Sequence, residues 1–497
     1  MDSRLAKSFK MFVLITLCVS LTVGVVSGMA VTQEKKVIRC FVQSYTPRER
    51  TEADRWDPPQ YYWKLEQEYE RLHPDIDIQF LKPIVGEYEA WFVTQMTGET
   101  APEILWRHIG AAKADYVKGW YLDFTPYLEK PNPYVEGNDH WKDLFIPAVS
   151  ETAVAPDGKT YVLGVDIVGV GIYYNKNIFA EAGVTLPSTW KEFMDIQEKI
   201  KSAGYIPTAF PLGGTASNPG SWSVRLLQDM TLDSKMMEIK TGVKAAKGVV
   251  ERTREEGGSV SWMEIVRAIK LGIYSAKDPQ WQEQWRLLKE WSTYWQKGFL
   301  AAESVDAYRL YITGKAAMIY DGSWQVKPTE VDSLREFDFG LFNFPKVTKE
   351  SSPYATGIGC PSIGGAGAGA GNFCVPLIAK ERGLADETID WLMFVTAPQN
   401  LVPLCNDLGS FAPALKETEG VDPRLLPFIK QLEKGSERIR PDWCILTPEY
   451  AQQHYRILQE YIGGKLTMDE ATDKLQREMD KNADILIDQN PDWGLKK

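Results

Sequence analysis

The first part of the chain alternates between apolar runs of period two and segments of helical period. Val37–Gln43, Asp75–Leu81 and Pro102–Trp106 are predicted strands, while Tyr61–Leu72 and Tyr88–Thr97 carry apolar residues at helical spacing. Strand–helix alternation of this kind predicts a doubly wound α/β unit. Ligands of such sheets bind beyond the carboxyl ends of the strands. That rule nominates Tyr45, Trp106, Arg107 and His108 as candidate binding residues.

The longest apolar segment after this unit is Gly158–Asn175, which is rich in Val, Ile, Tyr and Gly. It is too long for an ordinary strand of roughly 3–10 residues, and too β-branched and glycine-rich for a helix. We therefore predict one extended segment that passes through two structural units and bends at its glycines. Asp166 is the lone charge in its middle, and the structural alternative to a functional role is a salt-bridged aspartate at a loop between two buried strands.

The alternating pattern resumes beyond this segment. A capping box over Thr189–Glu192 begins a helix, and Ile206–Phe210 and Ala316–Tyr320 are predicted strands. The region Thr231–Trp295 is predicted to be mostly helical. Phe337–Phe344 alternates strictly and predicts a second passage between the two units.

The N-terminus has the pattern of a secretory signal. Three basic residues precede the uncharged apolar run Met11–Gly28, and small residues allow cleavage after Ala30. An uncleaved anchor is the alternative, because the run approaches bilayer-spanning length. Cys18 has no small residues before it, so no lipid-attachment signal is recognised. We predict an exported, periplasmic protein.

Charge and cysteine content narrow the classes of partner. The net charge of −11 argues against nucleic acid and anionic membrane surfaces. The cysteines that follow the signal show neither a C-x-x-C pair nor zinc-ligand spacing. Cys360 and Cys374 flank a glycine-rich stretch and are the favoured disulfide pair in an exported protein; two buried thiols are the alternative.

Catalytic signatures are missing from the chain. There is no G-x-S-x-G elbow, no H-E-x-x-H and no complete P-loop, and no local pattern nominates a glycosidase carboxylate pair. No cofactor or metal is predicted. The 17 Trp and 22 Tyr residues instead suit sugar binding, because flat apolar rings pack on the C–H face of a pyranose.

A set of separated motifs runs in order along nearly the whole exported chain. They are Ala101-Pro102-Glu103-Ile104, Lys118-Gly119-Trp120-Tyr121-Leu122-Asp123-Phe124, Gly158-Lys159-Thr160-Tyr161, Tyr173-Tyr174-Asn175-Lys176, Gly314-Lys315-Ala316-Ala317-Met318, Gly322-Ser323-Trp324 and Gly463-Gly464-Lys465-Leu466-Thr467. Together they resemble the extracellular solute-binding proteins of ABC importers, in the carbohydrate group related to maltose-binding protein.

The resemblance implies a two-lobed periplasmic-binding-protein fold of the α/β class, with a ligand cleft and hinge strands between the lobes. It makes Gly158–Asn175 the first crossing and Phe339–Val347 the second, with a third near Pro398–Pro413. The expected division is a signal peptide over 1–30, an N-terminal lobe over 31–163 and 345–400, and a C-terminal lobe over 164–344 and 401–497.

The resemblance also implies a function: a monomeric, non-enzymatic receptor that closes on a sugar and presents it to ABC transporter permease subunits. Trp324 is expected to stack on a sugar ring. The full predicted ligand site comprises Tyr45, Trp106, Arg107, His108, Asp166, Trp222, Asp321, Trp324, Tyr354, Gly364, Gly365 and Trp443. Two alternatives stay open, a receptor for a polyamine or glycerol-phosphate ester and a secreted glycoside hydrolase.

Overall fold

The computed structural model describes residues 35–52, 54, 56–82, 88–214, 219–244, 260–357, 364–365, 369–433, 439 and 441–496. The predicted signal peptide, Cys360 and the side chain of Trp443 lie outside this part. The described strands are β1 Lys36–Phe41, β2 Ile76–Phe80, β3 Ile104–Trp106, β4 Leu163–Gly164, β5 Asp166–Asn175, β6 Ile206–Ala209, β7 Ala316–Gly322, β8 Phe339–Phe342, β9 Gly364–Gly365, β10 Asn372–Cys374 and β11 Ala412–Pro413.

The helices of the first half are α1 Tyr61–Leu72, α2 Tyr88–Thr97, α3 Ile109–Ala114, α4 Thr125–Leu128, α5 Pro147–Ala153, α6 Lys176–Glu181, α7 Trp190–Ser202, α8 Pro219–Leu232, α9 Met236–Thr241 and α10 Trp262–Lys270. Of these, α1, α2 and α7 begin where the sequence pattern predicts them. The capping box predicted for α7 is confirmed, with Thr189 accepting from the Glu192 amide.

The later helices cover most of the C-terminal part. They are α11 Pro279–Ser292, α12 Ser304–Ile312, α13 Val326–Val331, α14 Ile378–Glu381, α15 Ala385–Thr396, α16 Pro398–Leu408, α17 Leu426–Glu433, α18 Asp442–Ile445, α19 Pro448–Ile462 and α20 Met468–Gln489. None of the helices in the described ranges is long and apolar enough to cross a membrane.

The strands form two sheets. The first has the order β2-β1-β3-β10-β4, with β2, β1 and β3 parallel. The second has the order β11-β5-β7-β6, and β8 and β9 also pair with β5. The predicted α/β class is confirmed, and the arrangement is consistent with two lobes.

The apolar segment Gly158–Asn175 joins the two sheets, as predicted. Its first strand, β4, pairs with β10 in the first sheet. After Val165 the chain enters β5, which runs antiparallel to β7 in the second sheet. Nine of the ten β5 positions are buried, so the segment needs apolar residues on both faces.

The second passage does not lie at Phe339–Val347. That stretch contains β8, which pairs with β5 inside the second sheet, and Phe344 and Val347 are buried in the core on that side. Within the described residues, the chain next reaches the first sheet at β10, after β9 has paired with Val168 and Gly169. Period-two alternation identified the strand, but cannot reveal which sheet a strand joins.

The segment predicted as a third return contains β11, which pairs with β5 at Asp166 and Ile167. Before it, α16 belongs to the same core as α1 and the first sheet, through Leu401, Leu404 and Cys405. After it, Phe428 of α17 stays in that core. The predicted lobe boundaries at residues 163, 344 and 400 therefore stay a prediction.

Candidate functional site

Asp166 lies at the junction of the two sheets and is 0% exposed. Its Oδ2 accepts a 3.0 Å hydrogen bond from the Tyr45 hydroxyl and a 2.9 Å bond from the Gly371 amide. Tyr45, at 1% exposure, comes from the short 3-10 turn that follows β1. Two predicted ligand residues therefore bind each other here, and a role in ligand binding stays a prediction for both.

Burial governs the chemistry of this carboxyl group. Desolvation raises the pKa of Asp166 to about 7, against the opposing hydrogen bonds from Gly371 and Tyr45. Close backbone approach explains the glycines: a Cβ on Gly369 would lie 2.0 Å from Asp166 Oδ1. The neighbouring glycine-rich sequence thus serves, at this point, to let the backbone reach a buried carboxyl group.

Trp106 ends β3 beside the same junction. Its Nε1 donates a 3.0 Å hydrogen bond to the Gly369 carbonyl, and its side chain is half-buried. The Asn372 side chain donates to that carbonyl as well, at 2.8 Å. The structure thus brings Tyr45, Trp106 and Asp166 to one place, through the backbone of residues 369–371.

Arg107 and His108 have other partners. The Arg107 Nη1 donates to both carboxylate oxygens of Glu89 at 2.8 and 2.7 Å, and its Nε donates to Asp115 at 3.0 Å. Its guanidinium also lies 4.0 Å from the centre of the Phe92 ring. His108 caps α3, where its Nδ1 accepts from the Gly110 amide. Their predicted contact with a ligand is untested.

A second group of predicted residues lies at the end of β7. Asp321 is 3% exposed and accepts from the Gly322 amide at 2.7 Å and from Gln325 Nε2 at 3.1 Å. Burial raises its pKa to about 6, opposed by these bonds and one from Trp324. A buried carboxyl group thus supports the turn that carries Trp324.

Trp324 and Trp222 form what we call the tryptophan pair. Their ring centroids are 5.4 Å apart at an interplanar angle of 77°, and both side chains are half-buried. Trp222 projects from α8, a helix distant in sequence. The Trp324 ring lies over Gly322, where a Cβ would come within 2.2 Å of it. The Gly-Ser-Trp motif therefore needs its glycine so that the ring can fold back over the chain.

Strand β5 connects the two groups. Gly365 and Gly364 pair with Val168 and Gly169, and the next position of β5 pairs with Gly322. Tyr354 is half-buried in a turn after β8, and no ring contact or hydrogen bond of the described residues joins it to either group. The predicted role of Trp443 falls on a side chain outside the described part.

Pattern reasoning missed residues that hold the junction together. From α17, Gln431 Nε2 donates to the Val170 carbonyl at 3.2 Å and to Asn343 Oδ1 at 2.7 Å. Phe428 of the same helix occupies the space that a Cβ on Gly169 would need. In the sequence, Gly169 is the feature that indicates this contact, because a glycine inside a strand often marks the close approach of another segment.

The spacing of the buried carboxyl groups can be compared with that of a glycosidase pair. Asp166 and Asp321 are the buried carboxyl groups with raised pKa values, but five residues of strand, about 17 Å, separate Asp166 from Gly171, the partner of Asp321. A glycosidase pair lies about 5–9.5 Å apart. Among the described residues no cluster of His, Cys, Asp and Glu could hold a metal ion.

No disulfide joins the cysteines of the part that the structure describes. Cys40, Cys374 and Cys405 are buried, and Cys444 is partly exposed. The predicted pairing of Cys374 falls on Cys360, outside the described residues. Burial raises the pKa of Cys374 well above its usual value.

Comparison with known proteins gives a family match. A family model described as bacterial extracellular solute-binding protein matches residues 64–423. A sequence relative, the multiple sugar-binding protein of Streptococcus mutans serotype c, is 26% identical over 216 residues, which cover 44% of this chain and 42% of that protein. The match thus spans less than half the length of that relative.

Two solved structures have a similar fold. One is the solute-binding protein RafE in complex with raffinose, with a TM-score of 0.60, 16% identity, and coverage of 90% of this chain and 100% of that chain. The other is a chitin oligosaccharide binding protein, with a TM-score of 0.60, 17% identity, and coverage of 90% and 99%. At these identities the likeness shows the fold alone.

Proposed function

Because the chain belongs to the family of bacterial extracellular solute-binding proteins, we propose that it captures an oligosaccharide outside the cell and delivers it to an ABC importer. The observation that carries the choice of ligand is the tryptophan pair beside the buried carboxyl group of Asp321. The names of relatives that bind a sugar or raffinose agree with this choice.

The chemistry of the tryptophan pair fits a pyranose. An indole face offers the flat apolar surface on which the C–H face of a sugar packs. Hydrogen bonds that involve a charged group contribute roughly 1.5–3 kcal/mol each, so a nearby carboxylate suits the hydroxyl groups at the ring edge. Asp321 lies three residues before Trp324 and supplies such a group.

Closure would occur about the strand that joins the sheets. β5 carries glycines at positions 169 and 171, and it is the segment to which strands from several parts of the chain pair. A ligand shifts a hinge equilibrium by contacting the closed state better than the open one. The proposed partners are the permease subunits of the importer, and the proposed receptor is a monomer that performs no catalysis.

The test is calorimetric titration with raffinose, xylo-oligosaccharides and chito-oligosaccharides, with spermidine and glycerol 3-phosphate as non-sugar probes. We expect heat from at least one sugar and none from the other probes. Absence of heat from every sugar, with heat from spermidine, would replace the sugar proposal with the cation receptor. Release of reducing ends during incubation would instead indicate a hydrolase.

A matched set of variants locates the site. Trp324→Ala should weaken sugar binding by about 1–3 kcal/mol, by analogy with stacked bases, whereas Trp324→Phe should keep most of the affinity. Trp120→Phe is the control, because Trp120 packs edge-on against Phe92 in the first unit, away from β7. Equal affinities for wild type and Trp324→Ala would remove the tryptophan pair from the site.

A further inference from the structure

A row of aromatic rings extends outward from Trp106. The Trp106 and Tyr88 centroids are 5.4 Å apart, and those of Tyr88 and Trp91 are 5.8 Å apart. Phe41 packs behind the row, 5.7 Å from Tyr88 and 5.2 Å from Trp91. We call Trp91, Tyr88 and Trp106 the aromatic row; the first two come from one turn of α2.

The aromatic row lies where a doubly wound sheet places its ligands. Phe41 is the last residue of β1 and Trp106 the last of β3, so the row crosses the carboxyl ends of two parallel strands. Trp106 also reaches the junction of the sheets through its bond to Gly369. The row is therefore continuous with the candidate site.

The row differs from core packing in its exposure. Phe41 and Phe92, which support it from below, are 4% and 0% exposed, whereas all three rings of the row are half-buried. In addition, Trp91 Nε1 makes no hydrogen bond within the part of the chain that the structure describes. A half-exposed indole with an unused donor presents both a flat face and a polar edge.

The row is also held in position by contacts within the protein. The Tyr88 hydroxyl donates to the Trp106 carbonyl, which ties α2 to the end of β3. Arg107 lies between the Phe92 ring and the Glu89 carboxylate, and so fixes the same helix by a second route. Rings that are already ordered lose little side-chain entropy on binding, which favours affinity.

We propose that the aromatic row is a further subsite, which binds the rings of an oligosaccharide beyond the first, with Trp91 as its outermost platform and hydrogen-bond donor. The inference rests on the proposed function and names residues that determine ligand length. We expect a disaccharide bound at the tryptophan pair to leave Trp91 uncovered, because Trp91 lies two ring-to-ring steps, of 5.8 and 5.4 Å, beyond Trp106.

The experiment measures affinity against ligand length. Wild type, Trp91→Ala, Trp91→Phe and Val93→Ala would be titrated calorimetrically with xylo-oligosaccharide and chito-oligosaccharide series from the disaccharide upward. Trp91→Ala should bind the long members about 5- to 150-fold more weakly, the range expected for one lost stacking contact. It should bind the disaccharide within about twofold of wild type. The affinity of Trp91→Phe for the long members should lie between those of wild type and Trp91→Ala.

Val93→Ala is the matched control, because Val93 is an exposed apolar residue of the same helix at 44% exposure and lies outside the row. A second readout is independent of affinity: the indole N–H signal of Trp91, assigned by its loss in Trp91→Phe, should shift in the nuclear magnetic resonance spectrum when a long oligosaccharide is added.

Two results would overturn the subsite. In the first, Trp91→Ala binds oligosaccharides of every length as tightly as wild type does. In the second, Trp91→Ala and Val93→Ala both lose the same affinity at every length, which would indicate a general disturbance of α2. In both cases wild type still binds sugar, so the proposed function stands. Failure of wild type to bind any sugar would instead overturn the proposed function and this inference with it.

Discussion

Two aspartates, Asp166 and Asp442, are equally buried at 0% exposure, yet their pKa values move in opposite directions. Burial raises the pKa of Asp166 to about 7, and two hydrogen bonds from Gly371 and Tyr45 do not offset it. Burial opposes the charge of Asp442 as well, but the charge and hydrogen bond of His454, with bonds from Tyr450 and Tyr274, hold its pKa below the usual value.

The difference lies in what the fold places around each carboxyl group. Asp442 begins α18, and its partners come from α19 and from the turn before α11, so one carboxylate joins three segments of the helical part. Asp166 faces a tyrosine and a backbone amide at the junction of the sheets, with no cationic partner in the described residues. A fully buried carboxyl group stays charged only where a positive partner and several hydrogen-bond donors compensate for its lost hydration.

The largest effect should come from removing the charge at each position. Asp442→Asn should lower the free energy of unfolding by about 3–5 kcal/mol at neutral pH, because it leaves buried donors and a histidine without their carboxylate. Asp166→Asn should leave it unchanged or raise it, because the neutral amide avoids the cost of a buried charge. Urea denaturation of both variants measures the free energy of unfolding. Equal losses of stability in the two variants would refute the difference between Asp166 and Asp442.

The second prediction concerns pH. The folded state holds the Asp166 proton up to about pH 7, whereas the unfolded chain releases it near pH 4. Stability therefore falls as pH rises between these values and is level above, for a total of about 3–4 kcal/mol. The difference in unfolding free energy between wild type and Asp166→Asn should follow that curve. A difference independent of pH would place the folded pKa of Asp166 at its ordinary value.

A third prediction tests how closely the backbone approaches Asp166. Gly369→Ala places a Cβ 2.0 Å from Asp166 Oδ1 and should cost about 1–3 kcal/mol of stability through overpacking. In the Asp166→Ala background the carboxyl group is absent, so the same change should cost less. A double-mutant cycle in thermal or urea unfolding gives the coupling. If the stability losses of the two substitutions simply add, the added Cβ at position 369 does not clash with the Asp166 carboxyl group.

The smallest effect compares two tyrosines that donate to the two carboxyl groups. Tyr450→Phe removes a bond to the carboxylate of Asp442 and should cost about 1.5–3 kcal/mol. Tyr45→Phe removes a bond to Asp166, which is neutral below about pH 7, and should cost about 0.5–1.5 kcal/mol in mildly acidic buffer. The measurement is the free energy of unfolding of both variants and wild type at one pH. A larger loss for Tyr45→Phe than for Tyr450→Phe would contradict the comparison.

Several elements could be predicted from local pattern alone. The bounds of α1 and α2 agree with their apolar periodicity, and the capping box that begins α7 is present. The over-long apolar segment ending at Asn175 correctly indicated a chain passing between two units. These features depend on neighbouring residues, which is why local sequence suffices.

The partners of strands and side chains could not be predicted in the same way. Phe339–Phe342 was identified as a strand but assigned to a crossing, although it pairs with β5. Arg107 was nominated for a ligand, and the sequence did not reveal that Glu89 and Asp115 also bind it. Tyr88 and Trp91 were seen as helix residues and not as a possible platform, since periodicity does not show which strand ends a helix will face.

The sequence by itself determined the class of fold, the segment that joins the two sheets, and the place of the glycines along that segment, because each depends on spacing and on the conformations that a residue type allows. Only the tertiary structure decided the state of Asp166. The sequence places Asp166 in an apolar run and Asp442 beside a tryptophan, but neither context reveals the partners of the carboxyl group. Asp442 receives its histidine from 12 positions away, whereas Asp166 receives a tyrosine from 121 positions away and a backbone amide from 205 positions away. The fold brings these groups together, and the local dielectric and donors that they create set the charge.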